Sequence, residues 1–246
     1  MRHTRGASGG ENPPTPRPGG PLTGADRDPP ASVPAYAAAV GATVMRYGTD
    51  YAATPVDERD WHWQASGEAC IFPMPALAGA VQLRNAASAA LAVRCLQTRL
   101  SVNDAAVAQG ARTAQVAGRF ERRGHAPEWV LDVAHNPEAA RNLAANLRAY
   151  PVAGRTLAVL AMLGDKDAAG VVAPLADSID GWHLAGLAGP RGSTAEQLAA
   201  RLRAAGVAQA IACHADVAAA CPAAHGAAVA AVIGRVLVFG PFLPLP

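Results

Sequence analysis

Three short segments of this 246-residue chain carry side chains suited to an anionic or nucleotide-like ligand. The first is Asp132-Val-Ala-His135-Asn136-Pro137. A carboxylate at position 132 can accept hydrogen bonds from ribose hydroxyls. An imidazole at position 135 can donate to a phosphate or a substrate carboxylate, aided by the start of the following helix. The competing reading is local: Asp132 pins its own loop and His135 caps a neighbour. The second segment is Gly164-Asp165-Lys166-Asp167, where Lys166 could meet a phosphate or form part of a solvated charge cluster. In the third, Gly189-Pro190-Arg191-Gly192-Ser193-Thr194, Arg191 suits a planar oxyanion, while Ser193 or Thr194 serves equally well as a helix N-cap. Upstream, Arg119 lies at a junction between two differently patterned regions, where it could face a ligand or simply be a surface charge.

The elements that must hold these segments alternate regularly after residue 113. Apolar runs predict strands at Trp129–Ala134, Thr156–Leu163, His183–Leu187, Ala208–Ala212 and Arg235–Phe239. Between them, helices are predicted at Pro137–Ala149, Ala168–Ala176, Thr194–Ala205 and Asp216–Val232. Asn136 and Pro137 suit the N-cap and first position of one of these helices. Strand–helix alternation with near-continuous apolar strands predicts an α/β fold: a Rossmann-like, mostly parallel sheet covered on both faces. Right-handed crossovers then gather the loops after each strand on one edge, where such sheets bind ligands.

Earlier in the chain, residues 35–64 read as short extended pieces, with a turn at Gly48. Trp61 and Trp63 alternate about His62, which suits a strand with one packed face. Helices follow within Ala76–Leu96 and at Val102–Arg112, with Ser101 or Asn103 near the second N-cap. Residues 1–34, rich in Pro, Gly, Arg and Asp, lack a periodic apolar pattern and read as a disordered tail.

The composition narrows the function classes. The chain is 51% hydrophobic and 16% charged, with a net charge of +2 and no dense basic run, which argues against a nucleic-acid reader. The apolar stretch Ala227–Leu245 is broken by Gly234, Arg235, Gly240 and Pro241, so no membrane span is expected. Cys70, Cys95, Cys213 and Cys221 form no CxxC pair and read as reduced thiols of a cytoplasmic protein. The histidines show no zinc spacing, so no protein-bound metal site is expected. Neither GxSxG nor GxGxxG follows a strand, which removes the hydrolase elbow and the dinucleotide-binding oxidoreductase.

Taken together, five segments resemble the folylpolyglutamate/dihydrofolate synthases of the Mur ligase superfamily. These are AVQLRNAASAALAV (residues 80–93), AGRFE (117–121), LDVAHNP (131–137), VLAMLGDKDAAGVVAPL (159–175) and RVLVFGPF (235–242). They are similar to the family's Q-x-x-N-A helix, P-G-R-F/L junction, D-x-A-H-N-P signature, D-K-D loop and closing V-x-G-S-F strand. The resemblance implies an ATP- and magnesium-dependent ligase that joins L-glutamate to dihydropteroate or a folate through an acyl phosphate. It assigns Asn85 to adenine, Arg119 to the phosphates and Asp132 to the ribose. His135 and Lys166 receive catalytic roles.

The resemblance also has gaps. The motif GxxxxGK[ST] does not occur in these 246 residues, nor do counterparts of the family's magnesium ligands. Pro241 stands where the family has a glutamate-associated serine, and proline supplies neither the hydroxyl nor the backbone N–H. The domain organisation expected is a tail (1–34), a truncated remnant of the central ATPase domain (35–112) and the C-terminal Rossmann-like domain (113–246). Such a chain is expected to be a monomer, or to need the missing N-terminal domain, and to be inactive alone. The alternative is a non-catalytic nucleotide- or partner-binding domain on the same scaffold.

Overall fold

The structure, a computed structural model, describes residues 20–24, 28–231 and 234–241. It divides into two compact units. One comprises the described residues up to Met74 together with Leu83–Arg112, and the other comprises Pro75–Gln82 together with the described residues from Thr113 onward.

The first unit contains strand β1 (Pro21–Gly24), helix α1 (Ser32–Ala39), strand β2 (Thr43–Arg46) and strands β3 (Tyr51–Pro55), β4 (Asp60–Ala65) and β5 (Glu68–Pro73). Helices α2 (Ala80–Cys95) and α3 (Asp104–Thr113) follow. β1 pairs with β2 in parallel, and β3-β4-β5 form an antiparallel meander. The tail expected over residues 1–34 therefore needs correction: it contains β1 and the start of α1, and its residues 1–19 and 25–27 lie outside the described residues. The extended reading of residues 35–64 fails likewise over the α1 portion. Trp61 and Trp63 occupy the inner face of β4 and pack on Phe72, and Trp63 Nε1–H donates to the Ala87 carbonyl of α2 at 3.1 Å. Burying an indole while satisfying its one donor is how such a side chain joins a core without a polar penalty.

In the second unit a six-stranded sheet has the order β10-β9-β8-β11-β7-β6. Its strands are β6 (Glu121–Arg123), β7 (Glu128–Asp132), β8 (Thr156–Leu160), β9 (Gly181–Ala185), β10 (Ala210–His214) and β11 (Arg235–Phe239). All adjacent pairs are parallel except β6 with β7. The mostly parallel α/β fold is as expected. β6 is an addition, a three-residue charged strand with no hydrophobic period to announce it. β8 and β11 are buried along their whole length, which explains the apolar runs Leu157–Leu160 and Val236–Phe239.

The helices of this unit are α4 (Pro137–Ala149), α5 (Ala168–Val172) continuing into a 3-10 turn (Ala173–Ser178), α6 (Ala195–Ala204) and α7 (Val217–Ala230). Leu143, Leu175 and Leu198 belong to a core on one face of the sheet, and the alanine stripe Ala220, Ala224, Ala228 of α7 packs on the other. Asn136, Asp167, Thr194 and Asp216 each cap a helix by accepting a backbone N–H, so the short polar residues at strand ends are also the helix starts.

Candidate functional site

Asp132 ends β7, and the parallel arrangement puts the loops after β7, β8, β9 and β11 on the carboxyl edge of the sheet. Antiparallel pairing of Glu121 with Leu131 carries the residues just before β6 to the same edge. Arg119 and Asp132 meet there for that reason.

The Asp132 carboxylate accepts from the backbone N–H of Phe120 at 2.9 Å and from that of Ala134 at 2.8 Å. The pinning interaction considered from sequence is thus present, and it reaches across to the Arg119 segment. Burial pushes the Asp132 carboxyl above the usual carboxylate range, against the pull of the Ala134 and Phe120 amides and the Arg119 charge. A carboxylate has about four lone-pair positions, so two amides leave room for a further donor. At the next strand end, Gly240 N–H donates to the Asp132 carbonyl at 3.3 Å. A Cβ at Gly240 would lie 2.5 Å from the Ala161 carbonyl oxygen, so the three strand ends touch only because residue 240 has no side chain. Pro241 follows directly and is half-buried.

His135 Nδ1 lies 2.8 Å from the Val133 carbonyl oxygen. A carbonyl only accepts, so Nδ1 carries the proton of that bond. The neutral ring then has a lone pair on Nε2, and Nε2 donates only when the imidazole is cationic. This sharpens the sequence reading of His135 as a donor: donation to a phosphate or carboxylate requires the protonated ring.

Lys166 lies in the loop after β8, which is tied down on three sides. Gly164 N–H donates to the Arg191 carbonyl at 2.9 Å, Arg201 donates to the Lys166 carbonyl, and Arg191 pairs with Asp165 at 2.5 Å. Arg191, an anion-binding candidate by sequence, has its anion supplied from within the chain. Thr194 caps α6 with Gln197 in a reciprocal capping box, and Ser193 is buried. Asn85 is in the first unit, on the exposed side of α2.

Sequence reading missed a cavity of about 820 Å³ beside the Arg119 segment, lined in part by Arg119, Phe120, Glu121, Arg122, Arg123 and Tyr150. Arg122 lies over the Tyr150 ring, 5.2 Å from its centre, and pairs with Glu128 at 2.6 Å. The Gly118 N–H, with help from Arg123, holds the Glu121 carboxyl below its usual range. The only available signal was the run Glu-Arg-Arg, which looks like ordinary surface charge. Among the described residues no group of three or more His, Cys, Asp or Glu is placed to hold a metal ion.

A covered parallel sheet with acid, imidazole and guanidinium groups at its carboxyl edge defines a Rossmann-like ligand-binding α/β domain. The chain belongs to the Mur ligase family: the family described as "Mur ligase, glutamate ligase domain" matches residues 118–242. It is similar to the dihydrofolate synthase/folylpolyglutamate synthase of Escherichia coli, with 39% identity over 170 residues, covering 69% of this chain and 39% of that protein. In structure it is similar to E. coli FolC in complex with DHPP and ADP, with a TM-score of 0.77, 34% identity, and coverage of 91% of this chain and 51% of that one. A bifunctional folylpolyglutamate synthase/dihydrofolate synthase with Mn, AMPPNP and L-glutamate bound matches with a TM-score of 0.75 and 34% identity over 91% of this chain and 51% of that one. The chain thus spans about half the length of the solved relatives it matches.

Proposed function

We propose that this chain forms the nucleotide-facing and glutamate-facing part of an ATP-dependent ligase that joins L-glutamate to dihydropteroate or to a folate. The observation that carries this reading is the juxtaposition of Arg119, Asp132 and His135 on one sheet edge of a Mur ligase glutamate ligase domain. ATP supplies the phosphoryl group that activates the folate-side carboxylate, and the glutamate amine then displaces phosphate to form the amide.

In this reading Asp132, through its remaining lone pairs, accepts from the ribose. The Arg119 guanidinium offers a planar fork of donors to phosphate oxygens, where charge shifts during transfer. His135 Nε2 takes the proton released when the glutamate amine attacks, a role its tautomer permits. Lys166, held by the Arg201 and Arg191 anchors of its loop, contributes charge towards phosphate or glutamate. Asn85 is assigned to adenine on its motif alone. No residue of this chain is assigned to magnesium, which suits an ion carried chiefly on phosphate oxygens. The 246 residues contain no GxxxxGK[ST] loop, so turnover requires that element from outside them.

Two measurements test the proposal. Calorimetric titration with ATP is expected to show binding that Arg119→Ala weakens far more than it weakens binding of adenosine. Radiolabelled glutamate incorporation is expected to be absent with the 246-residue chain alone. No ATP binding by the wild type would sink the nucleotide role, and robust turnover by the isolated chain would overturn the requirement for an outside loop.

A further inference from the structure

Phe120 has φ +50°, in the left-handed region that non-glycine residues seldom occupy. Its predecessor but one, Gly118, has φ +67°, so Arg119 is carried between two left-handed residues. Four contacts hold this unusual path. The Phe120 N–H is gripped by Asp132 at 2.9 Å, and the Gly118 carbonyl accepts from Val133 N–H at 2.9 Å. The Gly118 N–H reaches Glu121 at 3.2 Å. The Phe120 ring is buried in the main core and lies 5.6 Å from the Tyr150 ring, while the Arg119 side chain is exposed.

A strained residue persists only where its surroundings over-determine it, and here both its amide and its ring are fixed. Reversing the chain at Phe120 sends the buried ring inward and the adjacent guanidinium outward. We propose that Phe120 is a positioning residue, clamped in the left-handed conformation by Asp132, and that this clamp sets the direction in which Arg119 meets the nucleotide phosphates. Asp132 then acts on the phosphates through Phe120 and Arg119, in addition to any contact with ribose. The inference rests on the nucleotide role proposed above for Arg119. Displacing such a group by about 1 Å can cost about a hundredfold in rate, so an anchor at the neighbouring residue matters.

Leucine and isoleucine separate backbone control from packing. Both fill a buried apolar site, but β-branching makes a positive φ much harder to adopt. Phe120→Leu is expected to keep the Phe120 amide protected in hydrogen exchange and to leave ATP affinity within about threefold of wild type. Phe120→Ile is expected to lose that protection and to bind ATP about tenfold or more weakly, with adenosine affinity little changed. Asp132→Asn is expected to expose the same amide, and the part of its effect on ATP affinity that exceeds its effect on adenosine affinity should largely vanish in an Arg119→Ala background. The amide of Ala140 in α4 serves as the folding control in every variant. Equal behaviour of the leucine and isoleucine variants, or an unprotected Phe120 amide in the wild type, would overturn the clamp whatever the ligand does. Additive Asp132 and Arg119 effects would overturn the coupling. A wild-type chain that protects this amide but binds no ATP would fail the nucleotide role, and with it the positioning role, while leaving the clamp standing.

Discussion

His183 and His214 meet on neighbouring strands, with His183 Nδ1 3.0 Å from His214 Nε2. Their rings are nearly coplanar, 10° apart, with centres separated by 5.2 Å, so they face edge to edge and share one proton across the gap. Burial, and secondarily the His214 charge, holds His183 below its ordinary value. The folded state therefore binds fewer protons than the unfolded chain. The stabilising contribution is present above the unfolded histidine range and is lost as pH falls through that range towards the depressed folded value. Urea denaturation at pH 7.5 and pH 5.5 should show weaker stability at the lower pH, and His183→Gln should reduce the difference. An unchanged pH difference in the variant would refute the assignment. Gly240 makes a second prediction at this scale. Its φ of +145° and the nearby Ala161 carbonyl mean that Gly240→Ala should cost about 1–3 kcal/mol in the same assay. Neither constraint is readable in sequence, because His183 and His214 are 31 residues apart and nothing local to Gly240 names its neighbour.

Among the elements, α4 and β7 show what sequence can and cannot specify. α4 begins and ends where expected because its determinants are local: the Asn136 cap, Pro137 at the first turn, and Leu143 and Leu147 on one face. β11 was legible for a different reason, as the apolar run Val236–Phe239 in a strand buried on both faces. β1, α1 and β6 were not legible. β1 depends on parallel pairing with β2, and β6 is three charged residues recruited by β7. The same non-locality hides the ion pair that joins the strands: Glu128 of β7 binds Arg235 of β11 at 2.6 Å, and Arg235 is 2% exposed. Arg235 also reaches the Tyr150 carbonyl at 2.6 Å. Burial raises the Glu128 carboxyl, but Arg235 and Arg122 outweigh it and hold the group below its usual range. Its contribution is therefore present above the unfolded carboxylate range and is lost as pH falls through the depressed folded value. Glu128→Ala strands a buried guanidinium and should cost about 3–5 kcal/mol, whereas Asn136→Ala, which removes only a cap, should cost about 1 kcal/mol. Chemical denaturation of both variants checks the ranking, and equal losses would show that Arg235 finds other partners.

At the scale of the whole chain, the candidate residues were legible in type and order but not in mechanism. LDVAHNP pointed to Asp132 and His135 as candidates, yet only the fold shows that Asp132 grips the backbone next to Arg119 and that His135 has committed Nδ1 to Val133. This arrangement makes ligand binding visible as stability. A ligand that binds only the folded state stabilises it by RT ln(1 + [L]/Kd), about 2.7 kcal/mol at a hundred times Kd. ATP should therefore raise the melting temperature of the 246-residue chain in a concentration-dependent way, by about 2–4 °C per kcal/mol for a chain of this size. Arg119→Ala should remove most of the rise, because its exposed guanidinium lies close enough for its charge to act on Asp132. Lys166→Ala should remove less of it, because Lys166 lies after β8, and β11 separates that strand from β7. Thermal scans across an ATP series, with adenosine as the control, measure all three effects. A rise produced equally by adenosine would place the binding energy in the nucleoside and take the phosphate role away from Arg119.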